Sequence, residues 1–158
     1  MYSKDEASQI KQQFWTTFGQ YIAPQPSAEG LKINWVNYKT GIKHLYFKME
    51  ADKQGAFIAI QMSHPDLEIQ QMMFDQFLGY KTMLHATLAE PWEWALHIND
   101  TNALQNGQRT VTRIYKQLPG TSIFNQQHWP ALISFFKPRI IALDEFWSDA
   151  QYGFDLFR

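Results

Sequence analysis

Five histidines, fifteen carboxylates and no cysteine make up the reactive inventory of this 158-residue chain. Without cysteine there can be no disulfide, thiolate nucleophile or cysteine-based zinc site. His44, His64, His85, His97 and His128 never fall at His-x-His or His-x-x-x-His, the spacings that bring two imidazoles to one metal. His97 stands three residues before Asp100, a common polar neighbourhood that selects no ligand pair. Pro65-Asp66 matches the opening of a restriction-type nuclease signature, whose chemistry needs a later acid-x-Lys to hold Mg²⁺ and activate water. No acid-x-Lys follows it, and the earlier Glu50-Ala51-Asp52-Lys53 has the wrong spacing and reads as a solvated turn. The nuclease reading is therefore rejected. Gly41, Gly55, Gly79 and Gly107 are isolated, so no glycine loop cradles a phosphate. No serine lies in Gly-x-Ser-x-Gly, and spacing alone selects no pair of acids for glycoside chemistry. No catalytic residue, metal site or cofactor is assigned.

Charge and rings give a different signal. Between Leu31 and Met49 lie Lys32, Lys39, Lys43 and Lys48 with His44 and no acid, interleaved with Trp35, Tyr38 and Tyr46. Arg109, Arg113 and Lys116 form a second basic stretch. Lysine contacts phosphate and flat rings stack on bases, so such a face suits single-stranded nucleic acid. The candidate ligand or nucleic-acid site is Trp35, Tyr38, Lys39, Lys43, Lys48 and Arg113. The competing expectation is a solvated sheet face, since Glu50, Gln61 and Glu93 fall on it by alternation. The formal net charge of −1 supplies no global pull towards nucleic acid either.

The elements that must hold these residues follow from periodicity. Ser3-Lys4-Asp5-Glu6 has the form of a capping box. Ile10, Phe14, Phe18 and Ile22 then recur every four residues until Pro24 and Pro26. A strand is expected over Lys32 to Asn37. Leu45, Phe47 and Met49 alternate with Tyr46, Lys48 and Glu50 in a second strand, and Ala56 to Met62 forms a third. Ser63-His64-Pro65-Asp66 opens one helix with Ile69, Met73, Phe77, Tyr80, Leu84 and Leu88 on its buried face. Trp92 to Asn99 forms a fourth strand, the loop with Asn106-Gly107 follows, and about Arg109 to Leu118 forms a fifth. The last helix carries Trp129, Ile133, Phe136, Ile140, Leu143 and Trp147. Pro138 sits inside that stripe, where a proline costs about 3 kcal/mol and kinks the helix. Two helical segments are expected there, and Lys137, Pro138 and Arg139 become a candidate site around the freed carbonyl of Ser134. The order α-βββ-α-ββ-α predicts an α+β fold, a mainly antiparallel five-stranded sheet with helices on one face. Residues 1–158 form one globular domain.

Twenty-five residues are aromatic against 18% charged. Such a load supplies a large core, and any surplus belongs in pockets or subunit interfaces. The start of the chain lacks a signal peptide's apolar region, and no apolar run is long enough to cross a bilayer. A cytoplasmic protein without a membrane partner is expected. The functional expectation is a non-enzymatic binding or interaction module that self-associates or binds another protein. The alternatives are nucleic-acid binding and, last, a hydrolase of unknown substrate.

Several blocks carry a family resemblance: Phe14-Trp15, Asn34-Trp35-x-Asn37-Tyr38-Lys39-Thr40-Gly41, Leu118-Pro119-Gly120, Trp129-Pro130, and Phe136-Lys137-Pro138-Arg139 through Leu143-Asp144-Glu145-Phe146-Trp147. With them the chain resembles an uncharacterised bacterial domain of unknown function, number four-two-six-eight, and in particular its short stand-alone members from Bacteroidetes. The resemblance spans nearly the whole chain. In longer relatives a similar domain follows a segment resembling restriction-type nucleases, which implies a DNA-related or defence setting. It supplies no catalytic residues.

Overall fold

The Ser3 capping box forms as its sequence predicts. The Glu6 amide donates to Ser3 Oγ at 3.1 Å and the Ser3 amide to Glu6 Oε1 at 3.3 Å, opening helix α1 over Lys4–Ile22. Its four-residue stripe buries Phe14, Phe18 and Ile22. The computed structural model describes residues 2–100 and 109–158. After α1 come strands β1 (Leu45–Ala51) and β2 (Gly55–Met62), helices α2 (Leu67–Leu78) and α3 (Lys81–Leu88), strands β3 (Glu93–Asn99) and β4 (Thr110–Pro119), and helix α4 (Trp129–Ala150). Short 3₁₀ turns over Gln126–His128 and Gln151–Phe157 flank α4. The expected Asn106-Gly107 loop lies outside the described residues.

The strands form one antiparallel sheet in the order β1-β2-β4-β3. Its register sets Phe47 against Ile60, Ile60 against Ile114 and Ile114 against Trp94, an apolar row on one face. The helices cover that row. Trp147 of α4 meets Phe47 edge-on at 5.8 Å, and Phe74 of α2 meets Trp94 at 5.7 Å. Behind them Phe14, Phe18 and Phe136 are fully buried, each contributing about 1.5–3 kcal/mol. No helix among the described residues is long and apolar enough to cross a membrane.

Three expectations need correction. The sheet has four strands among the described residues, because Lys32 to Asn37 is not a strand. Local bonds capture that backbone instead. Asn34 Oδ1 accepts the Asn37 amide at 3.1 Å, Ser27 Oγ accepts the Leu31 amide at 3.1 Å, and Gly30 turns the chain at φ 79°. The second helix is two helices. At its end the Tyr80 amide turns back to the Phe77 carbonyl at 2.9 Å, while the Tyr80 ring lies 6.3 Å from Phe146 and 5.9 Å from Phe154. Those contacts redirect the chain at Gly79-Tyr80, and because Asp66 is the N-cap of α2, Pro65 precedes the helix instead of sitting in its first turn. Finally, α4 runs through Pro138 as one helix. Phe135 and Phe136 before the proline and Ile140 and Leu143 after it are all buried, so packing on both sides holds the helix despite the missing hydrogen bond.

Candidate functional site

The segment between α1 and β1 has little regular structure, yet it is riveted at both ends. The Trp35 indole N–H donates to the Gln25 carbonyl at 3.0 Å, and the Trp147 indole N–H of α4 donates to the Thr40 carbonyl at 2.8 Å. The Thr40 hydroxyl accepts the Ile42 amide at 3.2 Å and donates to the Leu45 carbonyl at 2.9 Å. A third tie comes from the buried stripe of α4. Asp144, only 6% exposed, accepts the Ala28 amide at 2.7 Å on one oxygen and the Tyr38 hydroxyl at 2.6 Å on the other.

Between this segment and α4 lies a cleft of about 420 Å³. Leu31 and Ile33 form an apolar part of its wall, and Glu29, Asn37 and Lys39 bring polar ends to it. Among the described residues, these three side chains make no hydrogen bond or ion pair within the protein, as protein donors and acceptors go. Beyond Tyr38 and Asn37, which line both, a second cavity of about 260 Å³ faces Tyr46, Lys48, Gln61 and Arg109.

Tyr38 is the chemical centre of the cleft. Burial first, then its bond to Asp144 and the charges of Asp144 and Glu29, push the phenol far above its ordinary range. It therefore stays protonated and keeps donating to Asp144. Each Asp144 oxygen already accepts a protein donor, so the carboxylate serves the loop before it could serve a substrate. No group of three histidine or acidic side chains that could hold a metal ion occurs among the described residues.

The six candidate residues do not form one surface. Tyr38 and Lys39 line the cleft, and Lys43 is exposed on the loop before β1. Trp35 is 2% exposed and belongs to the core, so its ring is not available for stacking. Lys48 lies 3.6 Å from Glu50 on the sheet face away from the helices. Arg113 is held by Asp100 at 3.0 Å and Gln61 at 2.7 Å, with its guanidinium 4.7 Å from the centre of the Phe57 ring. Such a buried pair resists withdrawal for a ligand, because either partner left alone would be a buried uncompensated charge.

The residues around Pro138 are also engaged. Arg139 grips both oxygens of Glu90, at 2.8 and 3.0 Å, and donates to the Phe135 carbonyl at 2.9 Å. Burial opposes ionisation of Glu90, but the bonds from Arg139 and Trp92 outweigh it and hold the carboxyl below its ordinary range. Lys137 lies over the Tyr21 ring at 4.6 Å.

Sequence reasoning overlooked Asp144, although a carboxylate beside Ile140, Leu143 and Trp147 on a buried stripe was a usable signal. It also passed over the meeting of His44 and His64, whose ring centres are 4.8 Å apart; only the β1–β2 pairing brings them together.

No curated protein and no solved structure matches this chain significantly. The family model described as domain of unknown function DUF4268 matches residues 10–151, from within α1 to the end of α4, and the chain belongs to that family.

Proposed function

We propose that the chain is a non-enzymatic binding module whose ligand occupies the cleft between residues 27–40 and α4. The observation that carries this reading is the contrast between frame and rim. Two indoles and one buried carboxylate hold the frame, while Glu29, Asn37 and Lys39 offer polar groups with no protein partner among the described residues. A preformed pocket with apolar walls and a few placed polar groups is the usual form of a ligand site. Catalysis in the cleft is disfavoured because its buried acid, Asp144, is committed to its two donors. The test is an amide-resolved NMR titration against a library of polar fragments. Binding should move the signals of residues 27–40 and 144–151 together, and Asn37→Ala with Lys39→Ala should weaken it. Fragments that move no signals there would remove the cleft as a site.

A second reading, association with another copy, is supported by Leu31 at 58% and Val36 at 36% exposure beside the two cavities. Apolar side chains at the rim of a cleft suit a protein surface better than a small solute.

A further inference from the structure

Three loops end at the same edge of the sheet. The register sets Leu45 against Met62 and Met62 against Thr112, so the chain before β1, after β2 and before β4 arrives side by side. Each loop brings basic groups: Lys43 and His44, His64, and Arg109. Their convergence is built from buried bonds. The Ser63 amide donates to the His44 carbonyl at 2.9 Å. Gln70, fully buried, donates to the His64 carbonyl at 2.8 Å and the Thr110 carbonyl at 3.0 Å, and accepts the Thr112 hydroxyl at 2.9 Å. Gln70 thus fastens the His64 loop to the start of β4, and the His44 and His64 rings meet edge-on with centres 4.8 Å apart.

From this geometry we propose that Lys43, His44, His64 and Arg109 form a phosphate-binding site for a nucleotide or a single-stranded nucleic acid, distinct from the cleft. Four potential cations from three loops have no carboxylate within ion-pair distance among the described residues. The neighbouring acids are otherwise placed: Asp66 caps the Glu68 amide at 2.9 Å, Asp100 pairs with Arg113 at 3.0 Å, and Glu68 is exposed in the first turn of α2. On the β3 side, His97 Nε2 bonds the Leu67 carbonyl at 3.0 Å. Arg109 also lines the cavity shared with Tyr46, whose ring is 48% exposed, and with Asn37 and Gln61. A phosphate at the cluster leaves the adjoining base within this cavity, where an open ring supplies stacking and amides supply hydrogen bonds.

The site carries its own pH dependence. Burial, then His64, Lys43 and Arg109, hold the His44 imidazole below its ordinary range. An anion among these groups favours the imidazolium instead, so binding takes up protons and strengthens as pH falls through the histidine range. His64 Nδ1 accepts the Asp66 amide at 2.9 Å, which holds that ring beside His44.

The experiment is an NMR titration of histidine ring and backbone amide signals, at roughly pH 5.5 and pH 7.5. The probes are a short oligothymidylate and thymidine 5′-monophosphate, each against chloride at matched ionic strength. The diester charge is constant over this range, so its pH trend reports the protein alone. We expect His44 and His64 to shift with saturation, affinity to be about tenfold higher at the lower pH, and Arg109→Gln to weaken it by about tenfold. His44→Asn, which suits the left-handed backbone there at φ 66°, should abolish most of the pH dependence while the protein stays folded. Saturation by the oligonucleotide assigns a strand, and saturation by the monophosphate alone assigns a free nucleotide. Histidine signals that respond only as they do to chloride, or equally in Arg109→Gln, would overturn the site. Amide signals of residues 27–40 are resolved separately in the same spectra, so this outcome leaves the cleft reading intact.

Discussion

Among single residues, Asp144 and Tyr38 decide whether the segment before β1 holds its shape. Asp144→Ala leaves the Ala28 amide and the Tyr38 hydroxyl without their acceptor in a half-buried setting, a loss of about 2 kcal/mol in unfolding free energy. Tyr38→Phe keeps the ring stacked on Phe47 at 5.1 Å and should lose about 1 kcal/mol. Its diagnostic effect is on alkaline stability. The Tyr38 phenol titrates higher in the folded state than in the unfolded chain. Its contribution is therefore complete below the unfolded value of about 10 and is lost as pH rises above it, by about 1.4 kcal/mol per pH unit. Urea unfolding at a series of alkaline pH values should show a shallower decline for Tyr38→Phe than for the native protein. Tyr115, raised first by its bond to Glu93, contributes equally to both proteins and cancels in the difference. Parallel slopes would mean that Tyr38 ionises freely and that Asp144 does not hold it.

For whole elements, the sequence was most legible where one physical effect dominated. The Ser3 box, the α1 stripe and the alternation that opens β1 each act locally, and the structure reproduces them, as it does a strand at Gly55–Met62. Lys32 to Asn37 misled because alternation also occurs in a looped segment whose Trp35 points into the core while Asn34 and Ser27 capture the backbone. The break at Gly79-Tyr80 was hidden because Tyr80 continues the apolar period, although its ring is turned towards Phe146 and Phe154. Of the candidate site, the lysine-rich stretch was visible, but which of its groups are already paired depends on partners far along the chain. The Asp144–Tyr38 bond spans 106 residues and the Arg113–Gln61 bond 52.

Two glycines separate backbone fit from helix propensity. A Cβ at Gly55 would lie 2.8 Å from the Leu118 carbonyl oxygen and 3.2 Å from Pro119 Cα, backbone atoms fixed by the β2–β4 pairing. Gly55→Ala should destabilise by about 1–3 kcal/mol. A Cβ at Gly19 within α1 would meet only Val36 Cγ2, at 3.4 Å, so Gly19→Ala should stabilise by about 0.5–1 kcal/mol. Chemical denaturation of both variants checks the contrast, and a neutral Gly55→Ala would mean that the sheet yields there.

For the whole molecule, the aromatic load has a plain accounting. The core and its margin absorb every tryptophan and every phenylalanine but Phe57, which is half-buried against Arg113, and the rings left exposed are Tyr2, Tyr21, Tyr46 and Tyr152. The abundance of rings alone therefore gives no argument for an interface. What remains is the placement of exposed aliphatics, above all Leu31 at 58% beside the cleft and Val36 at 36% beside the adjoining cavity. If copies associate there, the contact is small and depends on both side chains, because scattered single apolar residues are ordinary on any surface. Sedimentation velocity over a dilution series should then show a weight-average coefficient that rises with concentration in the native protein. It should stay flat in Leu31→Lys, which puts a charge into the contact without touching the core or the Asp144 clamp. The thermal midpoint of that variant should match the native value at low concentration, since Leu31 is already exposed. A native coefficient independent of concentration would eliminate the second-copy reading and leave the cleft to a smaller ligand. A rise that Leu31→Lys does not alter would place the contact elsewhere, with Leu156, at 79% exposure in the C-terminal turn, the next side chain to replace.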